Sequence, residues 1–205
     1  MISLAYIVRN ESAYIGRSIR SAIGVAAEVV VIDAESSDDT AGICRGLGAK
    51  VVTEPWRDDF SHAKNLMVSH CSHPWILNLD ADEHLEGENL GILLEAIKAS
   101  AADNIVAWQL PRKNHYPSHD PDSPFFTAPF YPDYQTRLFR NDPKRIFFSG
   151  RVHEGVVQAI EAGRLGDVGR LSVCIHHHMF RGDQEKHEKE KAAYYKRLEQ
   201  LQETP

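Results

Sequence analysis

Two aspartates one residue apart, Asp80 and Asp82, sit where an apolar segment ends: Leu77-Asn78-Leu79 runs directly into Asp80-Ala81-Asp82-Glu83. Hard divalent cations seek carboxylate oxygens. Mg²⁺ or Mn²⁺ takes one or two of them and fills the rest of its shell with phosphate oxygens and water. A cation held there would neutralise a departing diphosphate. A lone D-x-D triplet occurs often by chance, and exposed turn carboxylates are the bland alternative. Its company strengthens the signal. Arg9-Asn10-Glu11, Asp33-Ala34-Glu35 and Trp56-Arg57-Asp58-Asp59 each follow an apolar segment as well. Acidic exits brought to one edge would repel one another unless they coordinate a cation or accept hydrogen bonds from a ligand.

The elements that must position them alternate short apolar runs with helical patterns. Strands are expected at Ile2–Val8, Glu28–Asp33, Lys50–Thr53 and Trp75–Leu79. Helices are expected over about 12–24, after the polar turn 35–40, and over 61–70. Val29-Val30-Val31-Ile32 is apolar throughout, as a parallel strand covered on both faces should be. The β-α-β rhythm with short connections predicts a single α/β domain: three layers, α/β/α, around a mostly parallel, mixed sheet. Ligands of such sheets bind beyond the carboxyl ends of the strands.

The second half changes character. A helix over about 87–101 leads to a strand around 105–110, then a stretch from 112 to 133 rich in proline and aromatic residues. Such a long connection is either a functional loop or a rigid excursion packed by its own aromatics. Strands are expected at about 135–140, 145–150 and 171–176, and a highly charged helix over 183–202 closes the sequence.

Composition narrows the function classes. The 205 residues are 42% hydrophobic and 25% charged, with formal net charge -6. Mean hydropathy is -0.38. A whole-surface electrostatic grip on nucleic acid is therefore not expected. No apolar run approaches the ~20 residues that cross a bilayer. Cys44, Cys71 and Cys174 are scattered, which argues against a disulfide framework and fits a reducing cytoplasmic location. Histidine is abundant, with 11 residues, and Ile175-His176-His177-His178 concentrates it. By strand alternation His177 continues the face of Leu171, Val173 and Ile175, while His176 and His178 oppose it.

Together these segments resemble glycosyltransferase family 2 proteins of GT-A fold, within them a bacterial lipopolysaccharide core glucosyltransferase-like branch. Tyr6-Ile7-Val8-Arg9-Asn10-Glu11 resembles an opening strand ending in K/R-N-E. Val31–Thr40 is similar to V-D-T-G-S-T-D-x-T, and Pro55–Asn65 to P-W-x-D-D-F-S-x-A-R/K-N. Trp75–Glu83 resembles W-I-L-x-L-D-A-D-E, Arg137–Asn141 resembles R-L-F-R-N, and Gly150–Glu154 resembles G-x-V-H-E. The matches keep order and spacing over about residues 1–180.

The resemblance implies roles. Asp33 would accept from the nucleotide base, Glu11 would lie near base or ribose, and Asp59 and Lys64 would belong to the donor site. Lys64 is equally readable as a surface lysine. Asp80 would bridge ribose and metal, Asp82 would ligate Mn²⁺ or Mg²⁺, and His177 would complete the protein's share of the shell, with His176 one register away. Glu154 matches the general base of inverting enzymes, or else pairs with Arg151 or Arg137. Glu35 stands where the pattern has glycine, with Arg9 or Arg57 as compensating charges. The expected layout is a nucleotide-sugar half (1–110), an acceptor half (111–182) and a C-terminal helix (183–205). The expected reaction moves a hexose from a nucleotide-diphosphate sugar, a UDP-sugar first, to a glycan or glycolipid hydroxyl, met peripherally if membrane-bound. A metal-dependent phosphohydrolase or nucleotidyltransferase, and a catalytically silent binding module, remain as rivals.

Overall fold

The computed structural model describes residues 1–87, 90–117, 125–127, 131–151, 165–178 and 184–203. Its framework is a ten-stranded mixed sheet. Strands β1 (Ile2–Val8), β2 (Glu28–Asp33), β3 (Lys50–Thr53) and β4 (Trp75–Asn78) alternate with helices α1 (Ile15–Ala22), α2 (Thr40–Gly46) and α3 (Phe60–His70). After β5 (Glu83–Leu85) come α4 (Gly91–Ala99), β6 (Ile105–Pro117), β7 (Phe125–Thr127), β8 (Asp133–Arg140), β9 (Asp167–Arg170) and β10 (Ile175–His178). Helix α5 (Gln184–Glu203) is last. The strand order is β3-β2-β1-β4-β8-β6-β10-β5, with β7 and β9 also pairing β6.

Alternation along the central strands explains the layering. Leu4, Tyr6, Val29, Val31 and Leu77 face one side and pack with Ile15 and Ile19 of α1, Cys44 of α2 and Leu93 of α4. Ala5, Val30, Ile32 and Ile76 face the other and pack with Met67 and Val68 of α3. A strand covered on both faces has no polar side to show, which is why Val29–Ile32 carries none. Each fully buried Leu or Ile contributes about 1.5–3 kcal/mol. Tyr6, wholly buried, accepts a 3.0 Å hydrogen bond at its hydroxyl from Ser18 Oγ on α1.

Several boundaries differ from those read in the sequence. The first helix is shorter and ends in a 3₁₀ turn, Ile23–Val25. β6 continues through Pro117, so the start of the proline-rich stretch is strand. Of the strand expected at 171–176, only 175–176 is strand, as the start of β10, and β9 ends just before it at Arg170. The strand expected at 145–150 is absent. Ile146 and Phe148 still fill the core there, but no ladder satisfies this backbone. The Asn65 amide takes that part instead, accepting from Phe148 N and donating to Phe148 O, each at 2.9 Å. Among the described residues, no helix is long and apolar enough to cross a membrane.

Candidate active site

The exits of β1 and β2 are tied into one unit. Ser37 N donates to Asn10 Oδ1 at 2.7 Å, Asn10 N to Ser36 Oγ at 2.9 Å, and Glu11 N to Thr40 Oγ1 at 2.8 Å. The turns that make this possible need left-handed backbone at Asn10 (φ 57°) and Glu35 (φ 54°). Asparagine tolerates that region, whereas glutamate pays for its Cβ there. This is a physical reason for a glycine at position 35, and Glu35 keeps the turn without one. Arg57, considered above as a partner for Glu35, is paired with Glu54 at 2.6 Å.

Beyond β1 and β4 lies a cavity of about 510 Å³. Glu11, Asp80 and Asp82 reach it from the strand exits, Lys64 from α3, Arg112, Asn114 and Tyr116 from β6, His177 from β10, and Lys191 and Tyr195 from α5. Asp33 and Asp59 line neither this cavity nor its neighbour. Asp33 is buried and accepts from Ser36 N at 3.3 Å. Asp59 caps α3, accepting from His62 N at 2.8 Å.

The two aspartates of the triplet have different surroundings. Asp80 Oδ2 is held by Arg137 Nη2, which also donates to Glu83 Oε1 at 2.7 Å. Burial opposes charge on Asp80, but Arg137 and then Lys64 outweigh it and hold its carboxyl at about 2. Glu83, with no exposed side-chain surface, moves the opposite way. Burial and the neighbouring Asp80 raise it against the pull of Arg137. Arg137 Nη2 thus serves both carboxylates of the aspartate turn. Glu154 lies outside the described residues.

Asp82 faces a histidine. Its Oδ2 is 3.1 Å from His177 Nε2. The strand ladder causes this: β10 pairs antiparallel with β5, setting His177 opposite Glu83, and His178 N donates to Asp82 O at 3.1 Å. His176 points away, its Nε2 2.7 Å from Glu86 Oε1. The Asp82–His177 pair fits Mn²⁺ or Mg²⁺. Neighbouring ligands on an octahedral cation with bonds of about 2.1 Å lie about 3 Å apart, and a carboxylate with an imidazole suits Mn²⁺ well. Among the described residues no group of three His, Cys, Asp or Glu side chains is arranged as a cage. Such ions usually fill much of their shell with ligand phosphates and water.

Glu11 senses the same charges. Burial first, then Asp82, Asp38 and Asp80, lift its carboxyl from an ordinary 4.5 to about 7. The folded state therefore binds this proton more tightly than the unfolded state. Stability contributed by the protonated form falls as pH rises from about 4.5 to about 7. In chelator, Glu11→Gln should flatten the fall in unfolding free energy across that window, as read by urea titrations at several pH values. Parallel curves for the two proteins would assign the slope to other groups.

A second cavity of about 280 Å³ adjoins the first, sharing Ile7, Glu11 and Phe60, and is walled by Arg9, Ala34, Trp56 and Tyr194. Helix α5 closes it. Tyr194 Oη donates to Asp58 Oδ1 at 2.8 Å, Trp56 Nε1 donates to Tyr194 Oη at 2.6 Å, and Arg197 Nη2 meets Asp58 Oδ2 at 2.7 Å. Phe60 stands edge-on to Trp56 and to Tyr195. Flat aromatic walls beside an acidic, cation-competent cavity suit a planar base joined to phosphates.

The family model for glycosyl transferase family 2 matches residues 3–153, well over half of the sequence. The chain belongs to glycosyl transferase family 2. An uncharacterized glycosyltransferase of Rickettsia felis is 36% identical over 182 residues, 86% of this chain and 62% of that protein. The lipopolysaccharide core biosynthesis glycosyltransferase LpsC of Rhizobium meliloti is 33% identical over 162 residues, 76% of this chain and 57% of its own. This family 2 chain thus spans roughly three-fifths of the length of these relatives. Among solved structures, S. aureus TarS 1-349 in complex with UDP-GlcNAc superposes with TM-score 0.64 at 18% identity, covering 90% of this chain and 60% of that one. Glucosyl-3-phosphoglycerate synthase from Mycobacterium tuberculosis with Mn²⁺ and UDP-glucose gives TM-score 0.60 at 18% identity, covering 91% and 74%. These likenesses show the GT-A glycosyltransferase fold.

Within this family 2 site the sequence reading overlooked Glu83, Arg112, Asn114 and the aromatic face of α5. Part of the signal was there: buried charge must be paired, so Glu83 beside the triplet required a cation, and Arg137 lies on the strand expected at 135–140, whereas Arg112 opens the stretch expected as a long connection. Also unread was the grouping of histidines. His84 and His115 stack with His176 and His178 at ring separations of 4.9–5.1 Å. Arg17 Nη2 lies 2.8 Å from His84 Nε2. Burial, then Arg17 and the neighbouring imidazoles, push His84 down to about 3 and His178 down to about 4.

Proposed function

We propose that this chain carries out inverting transfer of a hexose from a nucleotide-diphosphate sugar, a UDP-sugar first, to a glycan or glycolipid hydroxyl. The observation that carries the reading is the 3.1 Å approach of His177 Nε2 to Asp82 Oδ2 in the wall of the larger cavity. Family membership and the likeness to LpsC support it, as do neighbours of the same fold solved in complex with UDP-sugars and, in one case, Mn²⁺.

In this reading Asp82 and His177 hold Mn²⁺ or Mg²⁺, which when bound supplies charge neutralisation for the leaving diphosphate. Lys64, Arg112 and Lys191 add positive charge around the same cavity. Asp80, kept ionised by Arg137, accepts from the ribose. Glu11 lies beside it. Trp56, Phe60 and Tyr194 flank the base, and Asp59 holds the N-terminus of α3. Residues 1–110 form the donor half, and β6 with the residues after it forms the acceptor half, where Tyr116 offers a ring to a sugar's apolar face. Glu154 takes the acceptor hydroxyl's proton as that oxygen attacks the anomeric carbon.

The test is a panel of nucleotide sugars incubated with the protein and Mn²⁺. Slow hydrolysis to nucleoside diphosphate and free sugar is expected. Nucleoside monophosphate with sugar phosphate would instead mark a phosphohydrolase, and failure of every nucleotide to raise the melting temperature would mark a silent module. With the donor known, Glu154→Gln should bind it as the parent does and lose transfer by about 10²–10⁴-fold, the usual worth of a general base. Undiminished transfer would remove Glu154 from that role.

A further inference from the structure

We propose that Asn114 is a positioning residue: it fixes His177 as the Nδ1–H tautomer and so keeps the Nε2 lone pair available to the cation. The proposal rests on the reading of His177 as a cation ligand. Its basis is a chain of hydrogen bonds whose directions are set from the acceptor-only carboxylate of Asp133.

The chain starts at Asp133 on β8. Its Oδ2 accepts from Arg112 Nε at 3.0 Å and from Arg112 Nη2 at 2.7 Å, and its Oδ1 accepts from Gln135 Nε2 at 2.8 Å. Burial opposes charge on Asp133, but these donors, Arg112 foremost, hold its carboxyl below the ordinary range. An ionised carboxylate only accepts. The end of the Asn114 amide that lies 3.2 Å from Asp133 Oδ2 is therefore the NH₂ group.

That orientation sets the other end. Asn114 Oδ1 must face His177 Nδ1, 2.7 Å away, and an amide oxygen cannot donate. The proton of that bond belongs to Nδ1. A neutral imidazole carries one N–H, so Nε2 presents its lone pair. The atom facing Nε2 is Asp82 Oδ2, at 3.1 Å. Two acceptors at that distance favour positive charge between them.

Backbone pairing holds the arrangement. His177 is the register partner of Asn114 in the parallel β6–β10 ladder and of Glu83 in the antiparallel β5–β10 ladder. Paired residues project on the same side, so Glu83, His177 and Asn114 form one row across three strands. If Asn114 were lost, His177 could turn to the Nε2–H form, donate to Asp82 and block the position the cation needs. Partners of this kind, acting on a ligating histidine, are typically worth about 10–100-fold in metal affinity.

The test has two readouts that need no turnover. The first is the ¹⁵N imidazole spectrum of the metal-free protein at mildly alkaline pH, with His177 assigned by its loss in His177→Gln. The expected result is a protonated Nδ1 and an unprotonated Nε2. A protonated Nε2 would overturn the proposal without any variant at position 114. The second is Mn²⁺ affinity from the free-ion paramagnetic resonance signal. Asn114→Ala should weaken Mn²⁺ about 10–100-fold and show the Nε2–H form of His177. Asn114→Asp, which keeps an acceptor for Nδ1–H, should stay within a few-fold of the parent. Parental affinity in Asn114→Ala, with His177→Gln weakened, would overturn the positioning role. Parental affinity in His177→Gln would instead overturn the cation-site reading beneath it.

Discussion

Asp82→Asn lowers sugar transfer about a thousandfold and removes the dependence of donor binding on Mn²⁺, while leaving the fold intact. The expectation follows from how the two aspartates differ. Asp80 Oδ2 is taken by Arg137, whereas Asp82 Oδ2 faces His177 Nε2, at 3.1 Å, on the cavity wall. The neutral amide loses the charge that attracts a cation, and one of its two ends cannot ligate. A loss of about 4 kcal/mol in stabilisation of the departing diphosphate corresponds to about three decades in rate. The Asp82 side chain is 33% exposed and belongs to no buried ion pair, so its melting temperature should match the parent's within a degree or two. Calorimetric titration with UDP, with and without Mn²⁺, reads the effect. Mn²⁺-dependent binding undiminished in the variant would move the cation elsewhere.

Arg137→Met is expected to cost about 3–5 kcal/mol of folding stability, the usual penalty for stranding a buried charge. Arg137 Nη2 bridges Asp80 and Glu83, and the Glu83 side chain has no exposed surface. Without the guanidinium, buried Glu83 is left among the described residues with Arg112 at 3.3 Å, while the half-exposed Asp80 keeps the attraction of Lys64. The sign of the pH dependence identifies the cause. Glu83 is already raised by burial, and losing Arg137 raises it further, so the variant's folded state takes up protons that its unfolded state releases. Its stability deficit should shrink as pH falls from neutral toward 5. Adding Glu83→Gln should recover part of the loss at neutral pH. Urea denaturation at pH 5 and pH 7.5 checks both statements, and a deficit independent of pH would point to lost packing instead.

Much of this fold was legible because its strands are covered on both faces. Ile2–Val8 and Glu28–Asp33 could bury everything they carry, and the edge they end on is where Glu11, Asp80 and Asp82 emerge. The triplet and His177 could be named from their chemistry and from their resemblance to a family pattern. What separated His177 from His176 was the β5–β10 register, set between a three-residue strand and one more than ninety residues away. Nothing local announces such pairing. The strand expected at 145–150 failed because Asn65 stands in for a neighbouring strand, and a side chain in that part leaves apolar Ile146 and Phe148 looking like any other strand. Asp33 and Asp59 show the opposite limit. Their acidity at a strand exit was visible, but not that one oxygen of each accepts a local bond, Asp33 Oδ1 from Ser36 and Asp59 Oδ1 from the amide of His62.

The D-x-D claim is tested most directly by UDP binding to the unmodified protein, titrated calorimetrically in Mn²⁺ and again in excess chelator. If Asp82 and His177 hold a cation that in turn holds the diphosphate, UDP binds with one-to-one stoichiometry in Mn²⁺ and at least tenfold more weakly in chelator, a difference of about 1.4 kcal/mol or more. Equal affinity under the two conditions would contradict the account and leave the diphosphate to Lys64, Arg112 and Lys191 alone.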